Sequence, residues 1–178
     1  MKILLTEEQI REGVARMAGE IQKQYEGKPV TLVGVMIGSI MLLTDLVRRL
    51  NLSMRITLVQ ARCDREKGVC MGPMVIDADL LSFGVRDRHV LLVDDMFHTG
   101  KTLWDLIPQI DELGPTSVRS AVLLQKEGQA KVSLKPDFVG FTIPNEFVVG
   151  NGLDYRDKYR YLPYIAALEP ADYEGPAQ

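Results

Sequence analysis

The residues richest in chemistry are Asp94 and Asp95, with His98, Thr99, Gly100, Lys101 and Thr102 close behind them. They stand in the stretch His89-Val-Leu-Leu-Val-Asp-Asp-Met-Phe-His-Thr-Gly-Lys-Thr-Leu103, whose opening is the apolar run of a buried parallel strand. A strand end that passes directly into a helix start aims backbone N–H groups into one small concavity, which suits a phosphate. Thr99 and Thr102 add hydroxyl donors, and Gly100 lets the backbone approach closely. Carboxylates beside such a cradle repel phosphate but can hold sugar hydroxyls or a magnesium shell. Phosphate, sugar and metal in one loop suggest a phosphorylated ribose. The acid pair and glycine alone equally fit an ordinary strand-to-helix turn with a capping threonine. A Walker A loop is excluded, because its G-x-x-x-x-G-K spacing is absent.

These residues need a frame, and the rest of the chain supplies one. Thr6-Glu-Glu-Gln9 is a capping box, and Ile10, Val14, Met17, Ile21 and Tyr25 recur at helical spacing behind it. Gly27-Lys-Pro29 ends that helix. Val30–Met36 reads as a buried strand, Ile37-Gly-Ser39 as a turn, and Ile40–Leu50 as a helix with Arg48 and Arg49 near its C-terminal dipole. A second strand is expected over Met54–Gln60. Residues 61–79 lose periodicity and read either as an exposed hairpin or as a functional lid. A helix is expected over Leu103–Leu113, kinked or interrupted by Pro108. Val118–Leu124, Phe138–Phe141 and Phe147–Val149 read as further strands. The segment after Leu168 is expected to be poorly ordered. Strands alternating with helices predict an α/β fold, a mostly parallel twisted sheet flanked by helices. Ligands bind beyond the carboxyl ends of strands in such sheets. That gathers Met36–Ser39, Asp94–Thr102 and the segment after Phe147 on one edge.

Length and composition suit one soluble domain spanning residues 1–178: 46% of residues are hydrophobic, 25% are charged and the net charge is −3. The slight acidity gives no support to nucleic-acid binding. No apolar run reaches membrane-spanning length, and the N-terminus does not read as a signal peptide. Cys63 and Cys70 lack metal-site spacing and read as free cytosolic thiols, consistent with a cytoplasmic location.

The order strand, acid pair, hydroxyl-Gly-hydroxyl, helix resembles the phosphoribosyl-pyrophosphate motif of the type I phosphoribosyltransferases. Gly34-Val-Met-Ile-Gly-Ser39, Lys135-Pro-Asp-Phe-Val-Gly-Phe141, Phe147-Val-Val-Gly-Asn-Gly-Leu-Asp-Tyr155 and Arg160-Tyr-Leu-Pro-Tyr164 narrow the likeness to the hypoxanthine-guanine phosphoribosyltransferases. The resemblance implies a phosphoribosyltransferase fold with a small C-terminal purine-binding hood over about 135–168, N-terminal contributions to that hood, and a mobile loop over about 61–79. It implies transfer of a 5-phosphoribosyl group from phosphoribosyl pyrophosphate to a 6-oxopurine, with Mg2+, by a homodimer or homotetramer. Asp94 and Asp95 then sit at the ribose hydroxyls, with Asp154 helping them bind magnesium. Thr99, Gly100, Lys101 and Thr102 take the 5-phosphate. Met36, Ile37, Gly38 and Ser39 take pyrophosphate, with a cis peptide between Met36 and Ile37, and Arg160 contacts the same group. Lys135 donates to the purine 6-oxygen, Phe147 stacks on the base, and the Val148 backbone meets its edge.

Three positions depart from the family. Ile37 stands where a lysine or arginine is usual, and Ala61-Arg62 where the mobile loop usually carries Ser-Tyr. His98 replaces the purine-facing aspartate. A neutral imidazole can accept the purine N7 proton, with a pKa near the ordinary value of about 6.5 shifted by neighbouring carboxylates and bound phosphates. His98 can equally be a bystander that shapes the loop. These changes leave open a purine-salvage transferase, a transferase with altered base preference such as xanthine, and a non-catalytic or regulatory nucleotide-binding paralogue.

Overall fold

In a computed structural model, residues 1–60, 62–66, 69–75, 84–169 and 172 are described, with backbone alone for 62–66 and 69–75. The side chains of Cys63 and Cys70, residue Ala61, and the tail beyond Glu169 apart from Asp172 lie outside that set. The sequence readings placed on them therefore find no counterpart here.

Five parallel strands form the main sheet in the order β3-β2-β6-β7-β8. They are β2 (Val30–Met36), β3 (Met54–Gln60), β6 (His89–Phe97), β7 (Ser117–Lys126) and β8 (Phe138–Ile143). Helix α1 (Glu7–Tyr25) starts at the capping box, where Gln9 N donates to Thr6 Oγ1 at 3.2 Å and Thr6 N to Gln9 Oε1 at 2.9 Å. Helix α2 (Ile40–Val47) follows β2, and α3 (Lys101–Asp111) follows β6.

Strand alternation splits the core into two layers. Leu32, Leu91 and Val93 face α1 and α2, packing against Met17, Ile21, Leu42 and Leu46. Val33, Val90 and Leu92 face the other way, against Leu103, Leu106 and Ile110 of α3. A sheet covered on both faces explains why β6 reads as a continuous apolar run.

Four sequence expectations change. Strand β6 continues through Asp94 and Asp95 to Phe97, so the acids lie inside the strand and not after it. Pairing of Asp94 with Val122, and of Phe97 with Gln125, holds this extension in place. Helix α3 runs through Pro108 without interruption. The proline removes one N–H but keeps its acceptor, since Glu112 N donates to Pro108 O at 3.1 Å, and Gln109 Nε2 adds a bond to Asp105 O. Phe138–Ile143, placed by sequence in the hood, is the edge strand β8 of the main sheet. Asp137 hooks it there, accepting from Ser120 N at 2.8 Å and pairing with Arg119.

The fourth change is the N-terminus, which forms a strand that sequence reading missed. β1 (Lys2–Leu5), β10 (Ile165–Ala167) and β9 (Val148–Val149) make a separate antiparallel sheet in the order β1-β10-β9. Four and three residues are too short for periodicity to register. Strand β4 (Arg62–Glu66) pairs antiparallel with β5 (Val69–Val75).

Leu91 is fully buried at the centre of the sheet. Leu91→Ala should destabilise the protein by about 2–5 kcal/mol in urea unfolding, as for other buried leucines. A loss below about 1 kcal/mol would contradict this placement of the core.

Candidate active site

The three loops expected on one edge do meet. A side chain at Gly38 would strike the Asp95 carboxylate, and one at Gly152 would lie 2.5 Å from Gly38 O. The Met36–Ile37 peptide is cis. Asp95, the 36–39 loop and the segment after β9 therefore pack as one unit at the carboxyl ends of β2 and β6.

Asp94 is 5% exposed, and its Oδ1 accepts from Asp95 N at 2.9 Å. Burial, then the charge of Asp95, pushes the Asp94 pKa well above the ordinary carboxylate range. Burial raises Asp95 to about 6, while its hydrogen bond with Asp94 and the Arg160 guanidinium pull the other way. A buried acid beside a half-buried one is costly unless a ligand or cation joins them.

Beyond β6 the turn is built for an anion. Gly100 is the N-cap of α3 at φ 84°, and a side chain there would hit Val132 and Phe97. The capping-threonine reading is corrected: the cap residue carries no side chain, and Thr99 Oγ1 reaches Lys101 N only at 3.4 Å. Residues Asp94 and 96–103 line a concavity of about 50 Å³. Lys101 does not offer its charge freely, because its Nζ is 2.6 Å from Asp105 Oδ2. Its backbone N–H lies at the start of α3. Ser39 likewise turns its hydroxyl inward, donating to Val35 O at 2.6 Å.

The proposed metal set is not assembled as a cage. Among the described residues no group of three His, Cys, Asp or Glu side chains is poised for a metal. Asp154 is held elsewhere: its Oδ1 is 2.8 Å from Arg160 Nη2, and its Oδ2 accepts from Asp157 N. Arg160 also donates to Gly152 O at 2.8 Å, which fixes it over the loop that packs on Gly38. Asp94 and Asp95 remain as a hard oxygen pair, the donor set from which Mg2+ takes one or two carboxylates while substrate phosphates and water complete its shell.

Lys135 is exposed at the approach to β8. Phe147 is 43% exposed and meets Tyr155 edge-on with ring centroids 5.5 Å apart, which leaves part of a ring open for stacking. Val148 is buried in β9 opposite Ala167. His98 directly follows β6. Burial, then Lys126 and Lys131, lowers its pKa below the ordinary value. The groups acting on it are thus lysines, not the carboxylates that sequence placed nearby. Lys126, absent from the sequence reading, is a charged residue buried at the end of β7. Its signal was faint: a lysine two positions beyond the apolar run Ala121–Leu124.

Comparison with known proteins agrees with this geometry. A phosphoribosyl transferase domain model matches residues 2–156. The chain is 36% identical over 172 residues to the bifunctional protein TilS/HprT of Listeria innocua, covering 97% of this chain but only 26% of that protein. It is 35% identical over 174 residues to a hypoxanthine-guanine phosphoribosyltransferase of Staphylococcus aureus, covering 98% of this chain and 97% of the relative. A solved hypoxanthine phosphoribosyltransferase from S. aureus superposes with a TM-score of 0.90 at 35% identity, covering 97% of this chain and 94% of that one. With the acid pair, the anion cradle and the glycine-packed loops already in place, these matches put the chain in the hypoxanthine-guanine phosphoribosyltransferase family.

Proposed function

We propose that this protein transfers a 5-phosphoribosyl group from phosphoribosyl pyrophosphate to hypoxanthine or guanine, giving the nucleotide and pyrophosphate in cytoplasmic purine salvage. In this reading residues 1–178 form one phosphoribosyltransferase domain that works as a homodimer or homotetramer. The observation that carries it is the joining of the Asp94–Asp95 pair to the cradle at Gly100 and to the Gly38 loop. The 5-phosphate takes the start of α3 and the hydroxyls of Thr99 and Thr102. Ribose hydroxyls meet Asp94 and Asp95. Pyrophosphate lies along Met36–Ser39 under Arg160, with backbone amides supplying what the uncharged Ile37 side chain does not. Asp94 and Asp95 would hold Mg2+, which would neutralise the leaving pyrophosphate; Asp154 would join them only after release from Arg160.

The purine enters between Phe147 and Lys135 under a hood made by the β1-β10-β9 sheet. Lys135 donates to the 6-oxygen, and an exocyclic amino group there would meet a second donor. His98 accepts the N7 proton as N9 bonds to C1′ and the C1′–O bond breaks, its electron pair leaving with pyrophosphate. The paired carboxylates stabilise the positive charge that develops on the ribose.

Lys135→Ala should weaken 6-oxopurine binding by about 1.5–3 kcal/mol, the worth of a charge-assisted hydrogen bond, and phosphoribosyl pyrophosphate binding far less. Calorimetry with each ligand decides; equal losses would remove Lys135 from the base pocket.

Asp95→Asn should separate stability from turnover. A carboxyl that holds its proton more tightly when folded favours the folded state at low pH. That advantage disappears as pH rises from the ordinary value of 3.8 to about 6. Above that range, in ligand-free protein without divalent cation, Asp95→Asn should melt higher than the parent yet turn over more slowly. A lower melting temperature at pH 7 would contradict the buried-acid account.

Because burial and two lysines lower the His98 pKa, the acid limb of kcat/KM should fall below the ordinary value of about 6.5. His98→Ala should slow the chemical step roughly 10²–10⁴-fold. Near-parental single-turnover rates across pH would show that His98 only shapes the loop.

A further inference from the structure

Gly100 has two side chains pressed against its Cα. A Cβ built there would strike Val132 Cγ2 and would lie 2.7 Å from Phe97 Cζ. Phe97 is the buried last residue of β6. Val132 comes from another part of the chain, the connection between β7 and β8. Along that connection Val132 and Leu134 are half-buried against the α3 layer, while Lys131, Ser133 and Lys135 are exposed. A backbone bond ties the connection to the turn, Lys131 N donating to Thr99 O at 2.9 Å.

The contact bears on the cradle. Gly100 is the N-cap of α3 and carries no side chain that could fix its own position. The first helical bond onto it runs from Trp104 N to Gly100 O at 3.0 Å, so the N–H groups of residues 101–103 find no acceptor within the helix. Where those groups point is set by where Gly100 lies. Val132 and Phe97 together close the side on which a Cβ would stand, so the turn cannot recede that way. A β-branched side chain has few rotamers, which makes Val132 a stiff buttress. It stands behind the concavity, whose lining runs through Asp94 and residues 96–103. Trimming it would leave a gap that the turn can move into.

Resting on the transferase reading above, we propose that Val132 is a positioning residue for the 5′-phosphate, holding Gly100 forward so that the N–H groups of residues 101–103 converge on the anion. It acts through the backbone it presses on. A misplacement of about 1 Å at Gly100 weakens several charge-assisted hydrogen bonds at once. The bond from Lys131 N to Thr99 O makes the link run both ways: an anion that orders the turn also orders the connection between β7 and β8.

The test compares the parent with Val132→Ala, Val132→Ile and Leu134→Ala at saturating magnesium. Val132→Ala should raise the KM for phosphoribosyl pyrophosphate and the Kd for inosine 5′-monophosphate roughly tenfold each, the scale of one charge-assisted hydrogen bond. The KM for hypoxanthine and the Kd for inorganic pyrophosphate should stay near the parent's. Val132→Ile keeps the branched methyl and should behave as the parent does. Leu134→Ala thins the same layer away from Gly100, so it should lower the melting temperature without splitting the ligands. Equal weakening of all ligands in Val132→Ala, no weakening of any, or the same split in Leu134→Ala overturns the inference and leaves the transferase reading intact. If Val132→Ala does not fold, hydrogen exchange in the parent decides: inosine 5′-monophosphate should raise protection of the Lys131 amide, and unchanged protection overturns the inference. No binding of phosphoribosyl pyrophosphate or nucleotide by the parent overturns both.

Discussion

Asp95 can occupy the carboxyl end of β6 only because residue 38 has no side chain. Everything else at the site follows from that contact. The loop after β2 must lie flat against the acid, and Gly152 must lie flat against that loop. Arg160, bonded to Gly152 O and Asp154, is then held where its charge reaches Asp95. Three segments distant in sequence are fixed by two glycines and the half-buried Asp95 carboxyl. The sheet supplies the rigidity: β6 is its central strand, packed on both faces, and carries the acids into the site without a flexible linker.

The same strand end sorts charge along the site. In the function proposed above, the acid pair meets the ribose, the start of α3 the phosphate and His98 the base, and Lys126 and Lys131 act on His98. Each region is poorly matched internally. The acids hold their protons too tightly and Lys126 too loosely for groups in water. Such mismatches are expected where a ligand completes the electrostatics, and they cost stability in its absence.

Much of this was legible in the chain. The apolar run before Asp94, the alternation of strands with helices, and the Thr-Gly-Lys-Thr turn gave the architecture and the cradle, because each is a local pattern with a local cause. The meeting of Gly38, Asp95 and Gly152 followed from the rule that loops gather beyond strand ends. What was not legible depended on long-range pairing. Strand β1 forms only because β10 lies beside it, and β8 joins the main sheet because Asp137 grips β7. The environment of His98 was misjudged for the same reason. Its sequence neighbours are acids, whereas its spatial neighbours come from β7 and the segment after it. Lys126 was invisible until strand register placed it beside His98.

The central claim is that this assembly of acid pair, cradle and base pocket performs phosphoribosyl transfer. It is tested most directly by incubating the purified chain with phosphoribosyl pyrophosphate, Mg2+ and hypoxanthine, then following phosphorus by NMR while nucleotide is resolved by chromatography. The account predicts that a 5′-mononucleotide and pyrophosphate appear in equal amounts, and that neither forms when excess chelator is present. Tight binding of both substrates with no nucleotide formed, or pyrophosphate released without nucleotide, would contradict it.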